Sequence, residues 1–367
     1  MAARIVLLGA TGHTGGRTAR ALVARGARPV LAGRDPARLA ALAAELGGPG
    51  PLETATADVT DPASVRRLVG RGDVLVTTVG PFLQLGAAAI AAAVDAGAVY
   101  LDSTGEPPFL RRVFEEHGPR AEATGATLLT AFGHDYLPGT LAGALALAEA
   151  GPRAARLSVG YAVDGTSGQA FSRGTLVSLI GVALEQGHAF EGGRLVDQPA
   201  AVRSWRFIVG GRTRHGLSVG GAEHLTLPPL APTLRDIGVH LDWFGPATPV
   251  VQRLAPLAPW LARVPGAREA APRLAGLVGS RVAEAPSSRG QVRTRVLAEV
   301  RDAAGVRVAA VALSGPDPYA LTAELLAWGA VRAATSGVRG TGALGPVQAF
   351  GLDELTAGAA GAGLSRT

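Results

Sequence analysis

Cysteine and lysine are both absent from this 367-residue chain. Without cysteine there are no disulfides, zinc–thiolate sites, iron–sulfur clusters or thiol nucleophiles, a composition that suits a reducing cytoplasm. Without lysine, Schiff-base chemistry and a Tyr/Lys catalytic pair are excluded, and every strong cation is an arginine. Aromatic residues make up only 5%, and the arginines behind the formal charge of +6 are scattered rather than gathered into a basic run, so no nucleic-acid partner is expected. No apolar stretch approaches the ~20 residues of a membrane span. The opening MAARIVLLGATG enters a strand pattern at once, with no charged and then apolar leader, and a cytoplasmic location is the resulting expectation.

What the chain does have is apolar substance: 47% hydrophobic residues over this length can build a large core, in two domains or in one with a large insertion. Up to about residue 150, short apolar runs alternate with helical patterns, as in successive βαβ units. Strands are predicted at 4–8, 29–32, ending near 57, at 74–77, 99–102 and 127–131. Helices are predicted at 15–25, 35–46, 61–69, 86–96, 108–123 and 138–149, with Asp35 as N-cap and Pro36 in the first helical position of the second. Six strands suit a doubly wound sheet. The texture then changes to longer, alternating strands at 156–162 and 203–209 and a hairpin over 292–314, which indicates a second domain with a mainly antiparallel sheet. A long helix is predicted at 319–334, a docking turn at 350–355, and disorder in the Gly/Ala tail after it.

The chemistry begins at GATGHTGG, which places Gly9, Gly12 and Gly15 where the first strand ends and the first helix begins, with Thr11, His13 and Thr14 between them. A pyrophosphate needs a tight turn, close backbone approach and the free N–H groups of a helix N-terminus. Three glycines alone are weak in a chain with 51 of them; their place after an apolar strand and before an amphipathic helix gives the motif its meaning. At the end of the second strand, where an acid would bind the ribose of NAD, the chain reads LAGRDP. Arg34 stands there to receive a 2′-phosphate, with Arg38 one turn on, and NADP is therefore expected over NAD; the plain alternative for Arg34 is a solvated strand-end side chain. Asp58 either accepts from an adenine amine or caps the next helix.

The order of GATGHTGG, LAGRDPARLAAL, VLVTTVGPFLQLG, DAGAVYLDSTGE, YALTAELLAWGA and GALGPVQAFGLDEL resembles the saccharopine dehydrogenase-like oxidoreductases, a family that includes trans-acting enoyl reductases. The resemblance spans most of the chain. It implies an α/β Rossmann-type NADP(H) domain over residues 1–135, completed by 319–367, and an α+β substrate and dimerisation domain over 136–318, hence a homodimer. It also implies that Thr78, Val79, Gly80 and Pro81 line the cofactor ribose, and it sets Asp102, Thr104 and Glu106 at the ligand edge of the sheet. Ser172 and Thr175, in a Gly-Thr segment similar to the family's, would hold a polar group of the substrate or simply start a helix. His134, Asp135 and Tyr136 depart from the family's usual segment before the proline.

With lysine and cysteine gone, the proton donors left near that edge are Tyr136, His134, Asp135, Tyr100 and Glu106, with Tyr136 or His134 preferred. Each has a bland alternative: Tyr136 packs a domain joint, Asp135 caps a helix, His134 bonds a loop carbonyl. His215, His224 and His240 lack the spacing of a metal site, and none is expected. The Pro-broken stretch 250–282 either lines an entrance for an acyl chain, touches a membrane surface, or packs between domains. The resulting expectation is an NADP(H)-dependent reductase of a polarised C=C bond in a hydrophobic or carrier-bound metabolite. An imine reductase of the saccharopine type and an NADP(H)-binding redox sensor without turnover are the alternatives.

Overall fold

A computed structural model describes residues 3–48, 50–165, 187–242 and 292–367, together with Thr248, Gln252 and Arg253. Two compact units result, one made of Met1–Thr104, Phe109–Leu137 and Pro318–Gly363, the other of Gly105–Pro108, Pro138–Asp317 and Leu364–Thr367.

The first unit is built on short, mostly buried strands. Residues IVLL of β1 (Ile5–Leu8) are all buried, as a parallel strand covered on both faces requires. It is followed by α1 (His13–Ala24), β2 (Val30–Gly33), α2 (Pro36–Leu46), β3 (Thr54–Thr56), α3 (Pro62–Arg66) and β4 (Val74–Thr77). Then come α4 (Phe82–Leu85), α5 (Ala87–Ala96), β5 (Val99–Asp102), α6 (Pro107–Arg112), α7 (Gly118–Thr124) and β6 (Thr127–Leu129). The sheet has seven strands where six were expected: the two-residue strand Gly342–Ala343 pairs in parallel beside β6, giving the order (342–343)–β6–β5–β4–β1–β2–β3. The chain reverses direction across the sheet between β1 and β4, and ligands of such sheets bind beyond the strand ends at that point.

Two other expectations are corrected. The helix predicted over 108–123 is not continuous, because its middle, Val113–His117, widens to a π turn. Pro119, the second residue of α7, has no N–H to give to the turn before it, which disrupts the regular ladder. The Gly/Ala tail after residue 355, predicted to be disordered, continues the helix Leu352–Gly361, with Ala359 fully buried; the helix Pro346–Phe350 precedes it. Gly358 there lets the Trp328 indole lie so close that a Cβ would fall 2.0 Å from it. The long helix Pro318–Ser336 runs against α1, joined by an Arg25–Glu324 ion pair of 2.6 Å.

The second unit contains α8 (Leu137–Ala150) from Pro138 onward and a mixed, mainly antiparallel sheet. Its strands are β7 (Arg156–Asp164), β8 (Gly187–Glu191), β9 (Arg194–Gln198), β10 (Ser204–Val209), β11 (Arg212–Ser218), β12 (Asp236–Leu241), β13 (Arg293–Arg301) and β14 (Arg307–Gly315). The main path is β10–β11–β12–β7–β13–β14, closed by the terminal strand Ser365–Arg366, with β12 parallel to β7 and the β8–β9 hairpin branching from β12. The Phe207 ring lies directly over Gly160 and clusters with Ala162, Val209 and Leu297. Asp164 accepts from both Arg214 and Arg295, tying the β10–β11 hairpin to β13.

Candidate functional site

The turn after β1 is shaped by contacts that only glycine permits. Gly9 has φ +87°, and a Cβ on it would sit 2.8 Å from Val79 Cγ2 and 2.9 Å from Thr78 Oγ1. A Cβ on Gly15 would fall 2.0 Å from the Gly9 carbonyl oxygen. At Gly12 the N-cap position has no side chain to accept from the first turn, and that turn carries no acidic residue. The start of α1 therefore offers backbone N–H groups and the positive end of its dipole to an anion. Thr78 and Val79, just after the neighbouring β4, stand beside the turn, and Gly80 and Pro81 follow them: the Thr78 amide donates to the Leu8 carbonyl at 3.1 Å.

At the end of β2, Arg34 is exposed and Asp35 is committed elsewhere. The Asp35 carboxylate accepts from Ala37 N and Arg38 N at 3.0 Å each, capping α2, so the acid adjacent to Arg34 is engaged by its own helix. Arg38 reaches back across the turn and donates to the Thr11 carbonyl at 2.9 Å. Asp58 does not cap α3, whose N-cap is Asp61; it accepts from Thr60 N and Thr60 Oγ1. Those bonds, with a smaller contribution from the charge of Arg34, hold the Asp58 carboxyl below its usual range.

Along the same edge, beyond β5 and β6, lies a buried polar knot. Asp102 is completely buried and accepts from Thr104 N (2.9 Å), Ala131 N (2.9 Å) and Thr130 Oγ1 (2.8 Å). Burial outweighs these bonds and pushes the carboxyl up to about 6. The neighbouring phenol, Tyr100, is held well above its ordinary range by burial and by the Asp102 charge. The chain then runs through Ala131 at φ +57° and Tyr136 at φ +86°, left-handed conformations that non-glycine residues adopt at a cost of about 1–3 kcal/mol each. Between these two positions, His134 Nδ1 lies 3.0 Å from Asp135 Oδ1. An ionised carboxylate on Nδ1 favours the tautomer with its proton there, leaving Nε2 as the basic nitrogen.

Gly9, Thr11, Gly12, His13, Thr14, Gly15, Arg34, Arg38 and Thr78 thus gather around one turn, and Asp102, Thr104, His134, Asp135 and Tyr136 around another along the same sheet edge. Thr104 and Tyr136 are buried. Glu106 is buried in the Gly105–Pro108 stretch that belongs to the second unit. Ser172 and Thr175 lie outside the described residues, as does nearly all of 250–282. In the second unit His224 and His240 are buried: Gly221 N donates to His224 Nδ1 at 3.0 Å, and the His188 and His224 rings stand 5.5 Å apart. His215 is exposed on β11. Among the described residues no three His, Asp or Glu side chains are grouped to hold a metal, and no helix is long and apolar enough to cross a membrane. The sequence gives no sign of the role of Thr322, whose Oγ1 accepts from His134 N at 2.9 Å, because no local pattern links residues so far apart.

Residues 5–129 match the family model of the saccharopine dehydrogenase NADP binding domain. A trans-acting enoyl reductase of Mycobacterium ulcerans (strain Agy99) is 40% identical over 143 residues, 37% of this chain and 34% of that protein. A probable mitochondrial saccharopine dehydrogenase-like oxidoreductase of Arabidopsis thaliana is 36% identical over 149 residues, 37% of this chain and 33% of that protein. The chain therefore spans about a third of the length of the curated relatives it matches. Apo histidine-tagged saccharopine dehydrogenase (L-Glu forming) from Saccharomyces cerevisiae aligns with a TM-score of 0.64 over 100% of this chain and 99% of that one; at 13% identity the likeness is one of fold. These matches bear out the resemblance to saccharopine dehydrogenase-like oxidoreductases that the motifs carried.

Proposed function

We infer that this chain, whose residues 5–129 match a saccharopine dehydrogenase NADP-binding domain, is an NADP(H)-dependent oxidoreductase that reduces a polarised C=C bond of a hydrophobic or carrier-bound metabolite. The observation that carries the cofactor half is the turn itself. Gly9 and Gly15 leave a cradle that a Cβ would fill, α1 presents an uncapped N-terminus to it, and the end of β2 offers Arg34 while Asp35 is engaged in its own cap. A diphosphate fits the first two features and a 2′-phosphate the third. The trans-acting enoyl reductase relatives, matching over about a third of their length, support C=C as the reducible bond.

When bound, the reduced nicotinamide supplies a hydride to the electron-poor carbon of the substrate. The chain's own work is to hold the dinucleotide and to deliver the balancing proton. The His134–Asp135 pair suits proton delivery, because the carboxylate orients the imidazole through Nδ1–H, and the doubly protonated ring gives the proton on Nε2 to the substrate and returns to the neutral form. Substrate selection is assigned to residues 136–318.

Calorimetry with NADPH and NADH tests the cofactor assignment, with tighter NADPH binding expected and the preference lost in Arg34→Asp. No heat with NADPH or NADP⁺ sinks it. Following NADPH oxidation against enoyl thioesters and cyclic imines tests the substrate class: turnover of thioesters supports the reading, and turnover of imines alone replaces it.

A further inference from the structure

The helix Pro318–Ser336 touches both turns of the site from a position remote in sequence. Near its start the Tyr319 ring stands edge-on to His13, with centroids 4.9 Å apart and planes at 90°. His13 is the first residue of α1, inside the glycine turn. Three residues further on, Thr322 Oγ1 accepts from His134 N at 2.9 Å and donates to the Pro318 carbonyl at 2.8 Å. The backbone before His134 is seated on the same side chain, since a Cβ on Gly133 would lie 2.9 Å from Thr322 Cγ2. Two turns later the relation is reversed: a Cβ on Gly329 would lie 2.5 Å from the Phe132 ring. Glycine on the loop admits threonine from the helix, and glycine on the helix admits phenylalanine from the loop.

Residues three apart lie on one helix face, so a single turn of this helix addresses both His13 and the segment 132–134. That segment is bounded by two left-handed non-glycine residues, Ala131 and Tyr136, a conformation that persists only when its surroundings hold it. Asp102 holds it at Ala131, and Thr322 holds it at His134.

We propose that Tyr319 and Thr322 are positioning residues of the dinucleotide site, Tyr319 setting the phosphate-binding turn through His13 and Thr322 setting the His134–Asp135 segment on the nicotinamide side. The assignment rests on the cofactor reading above. It predicts that the two residues act on different properties of bound cofactor. Loss of the Tyr319 ring loosens the turn and weakens affinity. Loss of the Thr322 acceptor leaves the His134 N–H unsatisfied and displaces that segment, changing the surroundings of the nicotinamide more than the affinity.

The test measures NADPH affinity by calorimetry and the emission of the bound nicotinamide, in folded variants checked by circular dichroism. Tyr319→Ala is expected to raise the dissociation constant about tenfold, the equivalent of one edge-to-face contact, and Tyr319→Phe to stay within about twofold of wild type. If Tyr319→Ala does not fold, Tyr319→Leu, which keeps apolar bulk and lacks the ring, carries the same expectation. Thr322→Val is expected to shift the emission while holding the dissociation constant within about threefold, and Thr322→Ser to restore the wild-type spectrum. Glu324→Gln cuts the ion pair between the same two helices away from the site and leaves both readouts as in wild type. Should Glu324→Gln weaken NADPH as much as Tyr319→Ala, general loosening of the helix pair is the cause and the assignment falls. It also falls if wild type binds NADPH and Tyr319→Ala and Thr322→Val are indistinguishable from it. Absence of binding by wild type overturns the cofactor reading, and this one with it.

Discussion

The Asp102 carboxylate accepts the backbone N–H of Ala131 at 2.9 Å, tying the end of β5 to the turn beyond β6. The same carboxylate holds Thr104 N and the Thr130 hydroxyl, and the Asp102 carbonyl accepts from Phe132 N at 2.7 Å. One residue thus organises both loops that leave this part of the sheet edge. Its burial places a charge where water cannot reach it, and that cost is accepted in return for a fixed edge.

Replacing Asp102 by Ala leaves three buried donors without their acceptor, at about 1–3 kcal/mol each, so urea denaturation is expected to show a loss of at least about 3 kcal/mol. Asp102→Asn keeps an acceptor oxygen and cannot ionise. Because the folded-state carboxyl titrates near 6 against 3.8 for the free group, the native state holds an extra proton between those values, and the stability this confers is lost as pH rises through 6. The stability of Asp102→Asn relative to wild type is therefore expected to improve from pH 4 to pH 7.5, by on the order of 3 kcal/mol at about 1.4 kcal/mol per unit. A difference that stays flat over that range would show that the charge carries no such penalty.

The glycine turn yields a sharper contrast. Gly15→Ala drives a Cβ to 2.0 Å from the Gly9 oxygen and 3.0 Å from Ala10 Cα, backbone atoms that no rotamer change can move. NADPH affinity is expected to fall more than ~tenfold, a cost above about 1.4 kcal/mol. Gly26→Ala, at φ +79° with open space around it, costs stability of about 1 kcal/mol through backbone strain alone and leaves affinity unchanged. Calorimetry on the two variants separates crowding of the turn from a general loss of stability.

What the sequence discloses and what it hides divide by the range of the interaction. The strand VLVT at Val74–Thr77 is legible because a parallel strand buried on both faces is written as one apolar run, and the Asp35–Pro36 start of α2 is written in two adjacent residues. GATGHTGG is legible for the same reason, since its crowding arises within the turn. Asp102 is visible as an acid at a strand end, yet its hold on Ala131 depends on β6 lying alongside β5. Tyr319 and Thr322 read as two ordinary positions of a long helix; only the fold brings them to His13 and His134. The tail misled because Ala and Gly suggest weak structure, whereas here the small residues are what let Trp328 approach the last helix.

Acid sensitivity is expected from the second unit. Burial pushes His240 down to about 4 and holds His224 well below its ordinary range, with the nearby His188 adding to the effect on His224. Both fold in the neutral form, so the unfolded state takes up protons first as pH falls below 6.5. Their contribution is complete above 6.5 and is lost as pH falls, that of His240 by about 4. His240 alone accounts for roughly 3 kcal/mol by about 1.4 kcal/mol per unit. His240→Gln, which cannot titrate, is expected to flatten the fall in unfolding free energy between pH 7 and pH 4.5, and an unaltered slope would remove His240 as its source.

Two glycines of the terminal helix decide whether that helix is packed structure. In an exposed helix, Gly→Ala stabilises by about 1 kcal/mol through backbone entropy. Gly361, with nothing within 4 Å, is expected to show that gain, reduced to a few tenths by its place at the helix end. At Gly358 the new methyl would meet Trp328 Cε2 at 2.0 Å. The indole cannot swing aside freely, because it stacks on Phe132 at 6.2 Å and lies against Phe350 at 5.0 Å. Overpacking of this kind costs about 1–3 kcal/mol, which exceeds the propensity gain, so Gly358→Ala is expected to lower the unfolding temperature while Gly361→Ala holds or raises it. Equal effects of the two substitutions in thermal unfolding would mean that Trp328 does not rest on this helix.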